Sequence, residues 1–231
     1  MNIEHLTQDQ IKLEQASFMT KVYGWMSFAL LVTGLVAYWV SVTPELITLI
    51  FSNRLVFYGL LIGEILCVGY LVTVIQKISA RTATLIFIGY SILNGLTLAV
   101  IFLAFTSASI TTTFLITAGT FGIMSIYGYY TKQDLTTIGN LAFMALIGLI
   151  IASVVNMFFQ NEMLYWITTY VGILIFVALV AYDTQKIKEM NIIGNEGTEE
   201  DRKEAILGAL SLYLDFINLF LLLLRLFGNR K

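Results

Sequence analysis

Proline, cysteine and histidine are almost missing from this chain: Pro44, Cys67 and His5 are the single instances of each in 231 residues. One cysteine cannot close an intrachain disulfide, and its apolar setting (Ile65-Leu66-Cys67-Val68) suits a buried small hydrophobe. One histidine, in the polar N-terminus, excludes His-rich metal sites, and neither a CxxC nor an HExxH pattern occurs. Charge is scarce as well. Only 12% of residues are charged and the formal net charge is −2, which leaves no basic surface for nucleic acid. The first twenty residues are polar and mixed in charge, unlike a cleavable signal peptide.

What fills the chain is apolar surface: 58% of residues are hydrophobic, and the mean hydropathy is +0.84. Seven stretches are long enough to cross a bilayer as helices, at about residues 22–42, 55–75, 83–105, 112–130, 135–159, 163 to beyond 183, and 205–228. The expected fold class is an all-α membrane protein, a seven-transmembrane-helix bundle whose first partner is the lipid bilayer. The expected organisation is a polar arm over residues 1–21, lying on a surface or partly disordered, a transmembrane domain over 22–228 and a basic tail over 229–231. Trp25, Tyr38 and Trp39 read as interfacial anchors. Glycines inside the stretches (Gly59, Gly63, Gly89, Gly95, Gly119, Gly122, Gly139, Gly148 and Gly172) would let backbones approach closely. No internal repeat is visible, so an inverted-repeat transporter has no support.

Orientation follows from the basic residues. With a cytoplasmic N-terminus, Lys12, Lys21, Lys77, Arg81, Lys132, Lys186, Lys188, Arg202 and Lys203 all fall inside. Arg54, Arg225, Arg230 and Lys231 fall outside, and three of these four belong to the C-terminal end. The last helix therefore either crosses fully or re-enters, and charge alone does not choose.

Two acids stand out in the last two stretches. Asp183 ends the run Val180-Ala181-Tyr182-Asp183, and Asp215 lies near the centre of the final stretch. An intramembrane carboxylate is costly unless it faces protein, water or a partner, so it is a functional-site hypothesis by default. In an antiparallel hairpin, residues equidistant from the turn share a depth, and the midpoint of the pair, residue 199, lies in the polar connection. Gly208, Ser211, Asn218 and Arg225 share the Asp215 face, a narrow polar stripe suited to a wet cavity. Asp183 shares its side with Gly172, Phe176, Leu179 and Val180, which is mostly dry.

Two close carboxylates in a low-dielectric site are expected to share one proton and titrate as a unit. Doubly ionised, they supply up to four oxygens of the roughly six to eight that Ca²⁺ takes, with water, Asn218, Ser211 or carbonyls completing a weak, transient shell. Spacing alone leaves open a plainer role, in which Asp183 ends its helix at the cytoplasmic interface and Asp215 hydrogen-bonds a Tyr or Asn to fix packing. Glu64, inside the second stretch, either hydrogen-bonds a neighbouring helix or lines the same pathway. Arg225 snorkels to the interface.

Tyr182-Asp183-Thr184-Gln185-Lys186-Ile187, with Leu210-Ser211-Leu212-Tyr213-Leu214-Asp215-Phe216-Ile217-Asn218-Leu219-Phe220, resembles the Bax inhibitor family of membrane proteins. Ser125-Ile126-Tyr127-Gly128-Tyr129-Tyr130-Thr131-Lys132-Gln133-Asp134-Leu135 is similar to the family's bacterial branch, and Asn94-Gly95-Leu96-Thr97-Leu98 also fits. The resemblance spans helices two to seven. It implies a last helix wrapped centrally by the others, and a pH-sensitive calcium leak in which Asp183 and Asp215 form the gating pair. The expected ligands are then protons and permeant calcium, with no resident cofactor, in a monomer of the bacterial inner membrane. The family is tied in animals to calcium release and protection from cell death, and in bacteria to modulation of a membrane-bound quality-control protease. A non-conducting regulator of such a membrane partner is the alternative.

Some family members carry an arginine at the cytoplasmic end of helix two that latches onto the acidic pair. Here Ile75 occupies that register, and Lys77 and Arg81 are the nearest cations. A lysine is a point charge and not a bidentate fork. An enzymatic reading, intramembrane aspartyl proteolysis, also uses a Tyr-Asp on one helix and an Asp on the next. Such enzymes carry Gly-x-Gly-Asp and Pro-Ala-Leu elements, whereas this chain has Tyr213-Leu214-Asp215 and Pro44 alone. No enzymatic activity is expected.

Overall fold

The computed structural model of the chain describes residues 7–231. His5, Ile3 and Leu6, with the rest of the first six residues of the expected arm, lie outside the described residues. The remainder is helical: α1 (Gln8–Ser41), a short α2 (Pro44–Ile47), α3 (Arg54–Val74), α4 (Ala80–Ala104), α5 (Ser107–Tyr130), α6 (Thr136–Phe159), α7 (Glu162–Met190) and α8 (Glu199–Phe227). Among the described residues, seven of these helices are long and apolar enough to cross a membrane. All-α architecture is the observed class.

Local sequence sets the ends. Helix α1 starts at Gln8, two turns and more before the expected arm ends, because Thr7 and Gln10 form a capping box that satisfies its first N–H groups. The arm from Gln8 onward is therefore the first part of α1 and not a separate segment. Pro44 stands at the first position of α2, where its missing N–H costs nothing. Helix α8 starts at Glu199, with the Thr198 hydroxyl accepting from the Asp201 N–H at 3.2 Å. Its first turn holds Glu199, Glu200 and Asp201, favourable at the positive end of the helix dipole. Helix α8 is unbroken over 29 residues, roughly 43 Å at 1.5 Å per residue. A re-entrant path would need a reversal that this helix does not contain.

Two compact units are distinguished: residues up to Phe105 with Lys188–Tyr213 and Lys231, and Thr106–Ile187 with Leu214–Arg230. Helix α8 gives its first half to one unit and its second half to the other. It is also the most buried of the apolar helices, with 61% of its apolar window covered against 6% for α3 and α6.

In the first unit, α1 and the first half of α8 run in parallel. Glu14 accepts from the Gly194 N–H at 2.7 Å, Ser17 donates to Glu196 at 2.6 Å, Lys21 pairs with buried Asp201 at 2.8 Å, and Thr33 meets Tyr213 at 2.7 Å. All four pairs are 179 or 180 residues apart; the Lys21 and Thr33 pairs join α1 to α8 itself, and the Glu14 and Ser17 pairs reach the connection before α8. A small apolar cluster of Val40, Ile50 and Ala99 closes the far end of the unit. In the second unit, Ala142, Ile175, Phe176, Leu179, Leu219 and Leu223 form the core.

Close approach is more selective than the glycine inventory suggests. Of the expected glycines, Gly59, Gly89, Gly119, Gly122 and Gly148 have open space where a Cβ would go. Gly139 of α6 has the Tyr182 ring there, and Gly128 of α5, absent from the expected set, has the Ala181 carbonyl. Both contacts flank Asp183, and both let a neighbouring helix close onto α7.

Candidate functional site

The segment Tyr182 to Lys186 is engaged residue by residue within the second unit. Tyr182 lies on Gly139, and Lys186 stands over the Tyr182 ring at 5.6 Å. The Thr184 hydroxyl meets the Ser125 hydroxyl of α5 at 3.4 Å. Gln185 clasps the α5–α6 turn: its Oε1 accepts from the Leu135 N–H at 2.8 Å and its Nε2 donates to the Gln133 carbonyl at 2.9 Å. Leu135 occupies the cap position of α6 without a capping side chain, and Gln185 accepts the N–H of that cap residue from another helix. Asp183 sits inside this fixed stretch, seven residues before α7 ends.

Asp215 is 5% exposed. Its carboxyl lies within hydrogen-bonding reach of the Asp183 carboxyl, and its Oδ2 has no hydrogen-bond partner. The following residue, Phe216, packs on Phe114 and Phe121 with ring centroids 5.4 Å and 5.5 Å apart, sealing that side with aromatic surface. A hydrogen bond between two carboxyls requires a proton on one of them. Chemically, the pair either holds a proton between α7 and α8 or, with the proton gone, presents close like charges that attract a cation. Among the described residues no third His, Cys, Asp or Glu joins them in a metal-holding cluster. Gly172, Phe176, Leu179 and Val180 on the Asp183 side of α7 are all buried, as a dry face requires.

The other expected site residues fall in different settings. Ser211 and Asn218 are half-buried on α8, and the Asn218 amide donates to the Leu214 carbonyl one turn back at 2.8 Å. Glu64 belongs to the first unit, where it accepts from Thr97 at 2.7 Å and from Asn94 at 3.3 Å. This is an interhelical bond between α3 and α4, one of the two roles its position allowed. Lys77 and Arg81 are exposed. The cation that approaches this turn is Lys203, which donates to the Gln76 carbonyl at 3.5 Å.

Tyr213 was not singled out by its position, yet it is fully buried and organises the first unit. Its hydroxyl donates to Asn94 Oδ1 at 3.1 Å and meets the Thr33 hydroxyl at 2.7 Å, and Thr33 donates on to the Ser91 carbonyl at 2.9 Å. Phe87 and Tyr90 clamp the ring edge-on. With the Glu64 bonds, this makes a buried polar chain through α1, α3, α4 and α8. A side chain two positions from Asp215 lies about 200° around the helix, so the Asp215 stripe could not include it. The usable signal was a phenol inside an apolar run, which needs a partner when buried.

Seven long apolar helices among the described residues, a polar network satisfied inside the first unit and an acidic pair with Asp215 buried define a multi-pass helical membrane protein. The family model described as inhibitor of apoptosis-promoting Bax1 matches residues 15–231. The chain is 51% identical over 216 residues to the inner membrane protein YbhL of Escherichia coli (strain K12), covering 93% of this chain and 92% of that one. It is 44% identical over 227 residues to an uncharacterized protein of Borreliella burgdorferi, with 98% of each covered. An uncharacterized membrane protein of Streptococcus pyogenes serotype M1 is 35% identical over 225 residues, with 96% of each covered. The chain belongs to the Bax inhibitor family.

Proposed function

We propose that this protein is a proton-regulated cation leak, with calcium as the expected permeant ion and the Asp183–Asp215 pair as its gate. The observation that supports it is the reach of the two carboxyls across α7 and α8, with Asp215 buried and one of its oxygens unpartnered. A shared proton ties the helices together. Removing it places two charges at close range; at about 4 Å and an effective dielectric near 20, their repulsion is ~4 kcal/mol. Separation of the helices or entry of a cation relieves that repulsion. Either response couples proton occupancy to ion access.

The relative in Escherichia coli is an inner membrane protein by name, and the same membrane is proposed here, with the N-terminus cytoplasmic as the basic residues favour. The test is Ca²⁺ flux into proteoliposomes between pH 5 and 8. Wild type is expected to show pH-dependent flux, and Asp183→Asn or Asp215→Asn to lose that dependence. A wild type without pH-dependent flux sinks the proposal. A wild type that conducts no Ca²⁺ at any pH would instead favour the non-conducting regulator of a membrane protease, and pH-dependent flux retained by both Asn variants would take the gate away from the acids and leave them a packing role.

A further inference from the structure

A cavity of about 470 Å³ opens where the end of α6, the α6–α7 turn and the end of α8 meet in the second unit. Its walls include Ser153, Asn156, Asn161, Glu162, Tyr165 and Arg225. The turn is made tight by Gln160 in the left-handed region at φ 49°, so that only Gln160 and Asn161 separate the two helices.

The walls offer donors. Asn156 Oδ1 accepts from the Asn161 N–H at 2.8 Å, and Asn161 Oδ1 accepts from the Leu164 N–H at 2.9 Å. With both amide oxygens taken by backbone, the NH₂ groups are what these asparagines have left to give an occupant. Arg225 stands over the Tyr165 ring at 4.8 Å, and Arg230 donates to the Tyr165 hydroxyl at 3.4 Å. Neither guanidinium has a carboxylate partner among the described residues. Glu162 shares the cavity without pairing with Arg225. A separated cation and anion beside a set of amide donors match a ligand that itself carries separated charges of both signs. An arginine with NH₂ donors suits a phosphate; a lone carboxylate suits an ammonium.

The rim points to a lipid. Tyr165 and Trp166, with Trp166 and Tyr170, form a run of ring contacts of the kind that marks a membrane–water interface. Phe158, Phe159 and Met163 are exposed around the turn, at 75%, 77% and 73%, and would lie along acyl chains. We infer that this cavity binds the phosphate–ammonium headgroup of a zwitterionic phospholipid such as phosphatidylethanolamine, with Arg225, Asn156 and Asn161 on the phosphate and Glu162 on the ammonium.

The test is native mass spectrometry of the full-length, detergent-purified protein titrated with phosphatidylethanolamine and, separately, phosphatidylglycerol. Wild type is expected to retain the ethanolamine lipid in preference. Asn156→Asp keeps the acceptor for the Asn161 N–H but replaces donors with a negative oxygen, so the fold is kept while phosphate is repelled. Its lipid binding is expected to fall by roughly tenfold or more, as loss of a charge-assisted hydrogen bond implies, and Arg225→Gln is expected to match it. Glu162→Gln should leave phosphate binding but remove the preference for ethanolamine over glycerol. Asn156→Asp binding within about threefold of wild type, under half the energy of such a bond, overturns the assignment whether or not Arg225→Gln folds. So does a wild type without ethanolamine preference. Competition by soluble glycerophosphoethanolamine at concentrations as low as the lipid's would overturn the lipid source and leave a soluble metabolite as ligand.

Discussion

Replacing Gln185 with leucine removes the clasp on the α5–α6 turn while keeping side-chain volume nearly constant. Gln185 is 8% exposed and Leu135 2%, so the Leu135 N–H in Gln185→Leu is left buried without its acceptor. An orphaned buried group of this kind costs about 1–3 kcal/mol. The Gln133 carbonyl also loses its donor, but Gln133 is exposed and water replaces much of that bond, adding about 0.5–1 kcal/mol. The sum is about 1.5–4 kcal/mol. For a chain of this size each kcal/mol moves the melting temperature by about 2–4 °C, so thermal unfolding in detergent is expected about 3–16 °C lower than wild type. Gln185→Glu is the contrasting case: it keeps an acceptor for the Leu135 N–H but buries a carboxyl against the Gln133 carbonyl, so its loss should shrink in acid, where the neutral carboxyl can donate, whereas that of Gln185→Leu should not. A Gln185→Leu midpoint within about 2 °C of wild type, less than 1 kcal/mol, would refute the reasoning and mean that the Leu135 N–H finds water.

Two further outcomes follow from other parts of the molecule. Tyr213→Phe takes the donor from Asn94 Oδ1 and leaves Thr33 its bond to the Ser91 carbonyl; a loss of about 1–2 kcal/mol is expected, read as a lower melting midpoint with unchanged helical circular dichroism. At the α5–α6 turn, the Thr136 hydroxyl and backbone N–H hold the Asp134 carboxyl below the usual carboxylate range. A depressed folded value gives stability that is present above the unfolded value and lost as pH falls through the folded one, so the melting advantage of wild type over Asp134→Ala should be constant at neutral pH and decline as pH falls below about 4; an advantage that does not decline in acid would contradict the assignment.

Much of this fold is written in local pattern. Apolar runs of bilayer length set the seven long helices, since nothing else in water or lipid satisfies such a backbone. Hydropathy puts the starts of α1 and α8 too late, at about 22 and 205; the capping residues of Thr7-Gln8-Asp9-Gln10 and Thr198-Glu199-Glu200-Asp201 carry both helices beyond their apolar cores. Asp183 and Asp215 could be matched because mirror positions about a hairpin turn share a depth. The rest depended on what a distant helix presents. Gly128 and Gly59 look alike in sequence, and only the Ala181 backbone opposite Gly128 separates them. The partners of Gln185 and Tyr213 lie 50–52 and 119–180 residues away. No periodicity within a single helix encodes such pairings.

The 180-residue offset between partners on α1 and α8, Lys21 with Asp201 and Thr33 with Tyr213, has a consequence for biosynthesis. At about 5–20 residues per second, the ribosome needs roughly 9–36 s between making a residue of α1 and making its partner. During that interval Lys21 has no Asp201, and Thr33 has no Tyr213. Thr33 can wait in lipid because its hydroxyl already reaches the Ser91 carbonyl of its own unit, 58 residues on and made far sooner. Helix α1 is thus the first to be inserted and among the last to be completed, and a chain stalled before α8 would expose a half-built polar seam for membrane quality control to find.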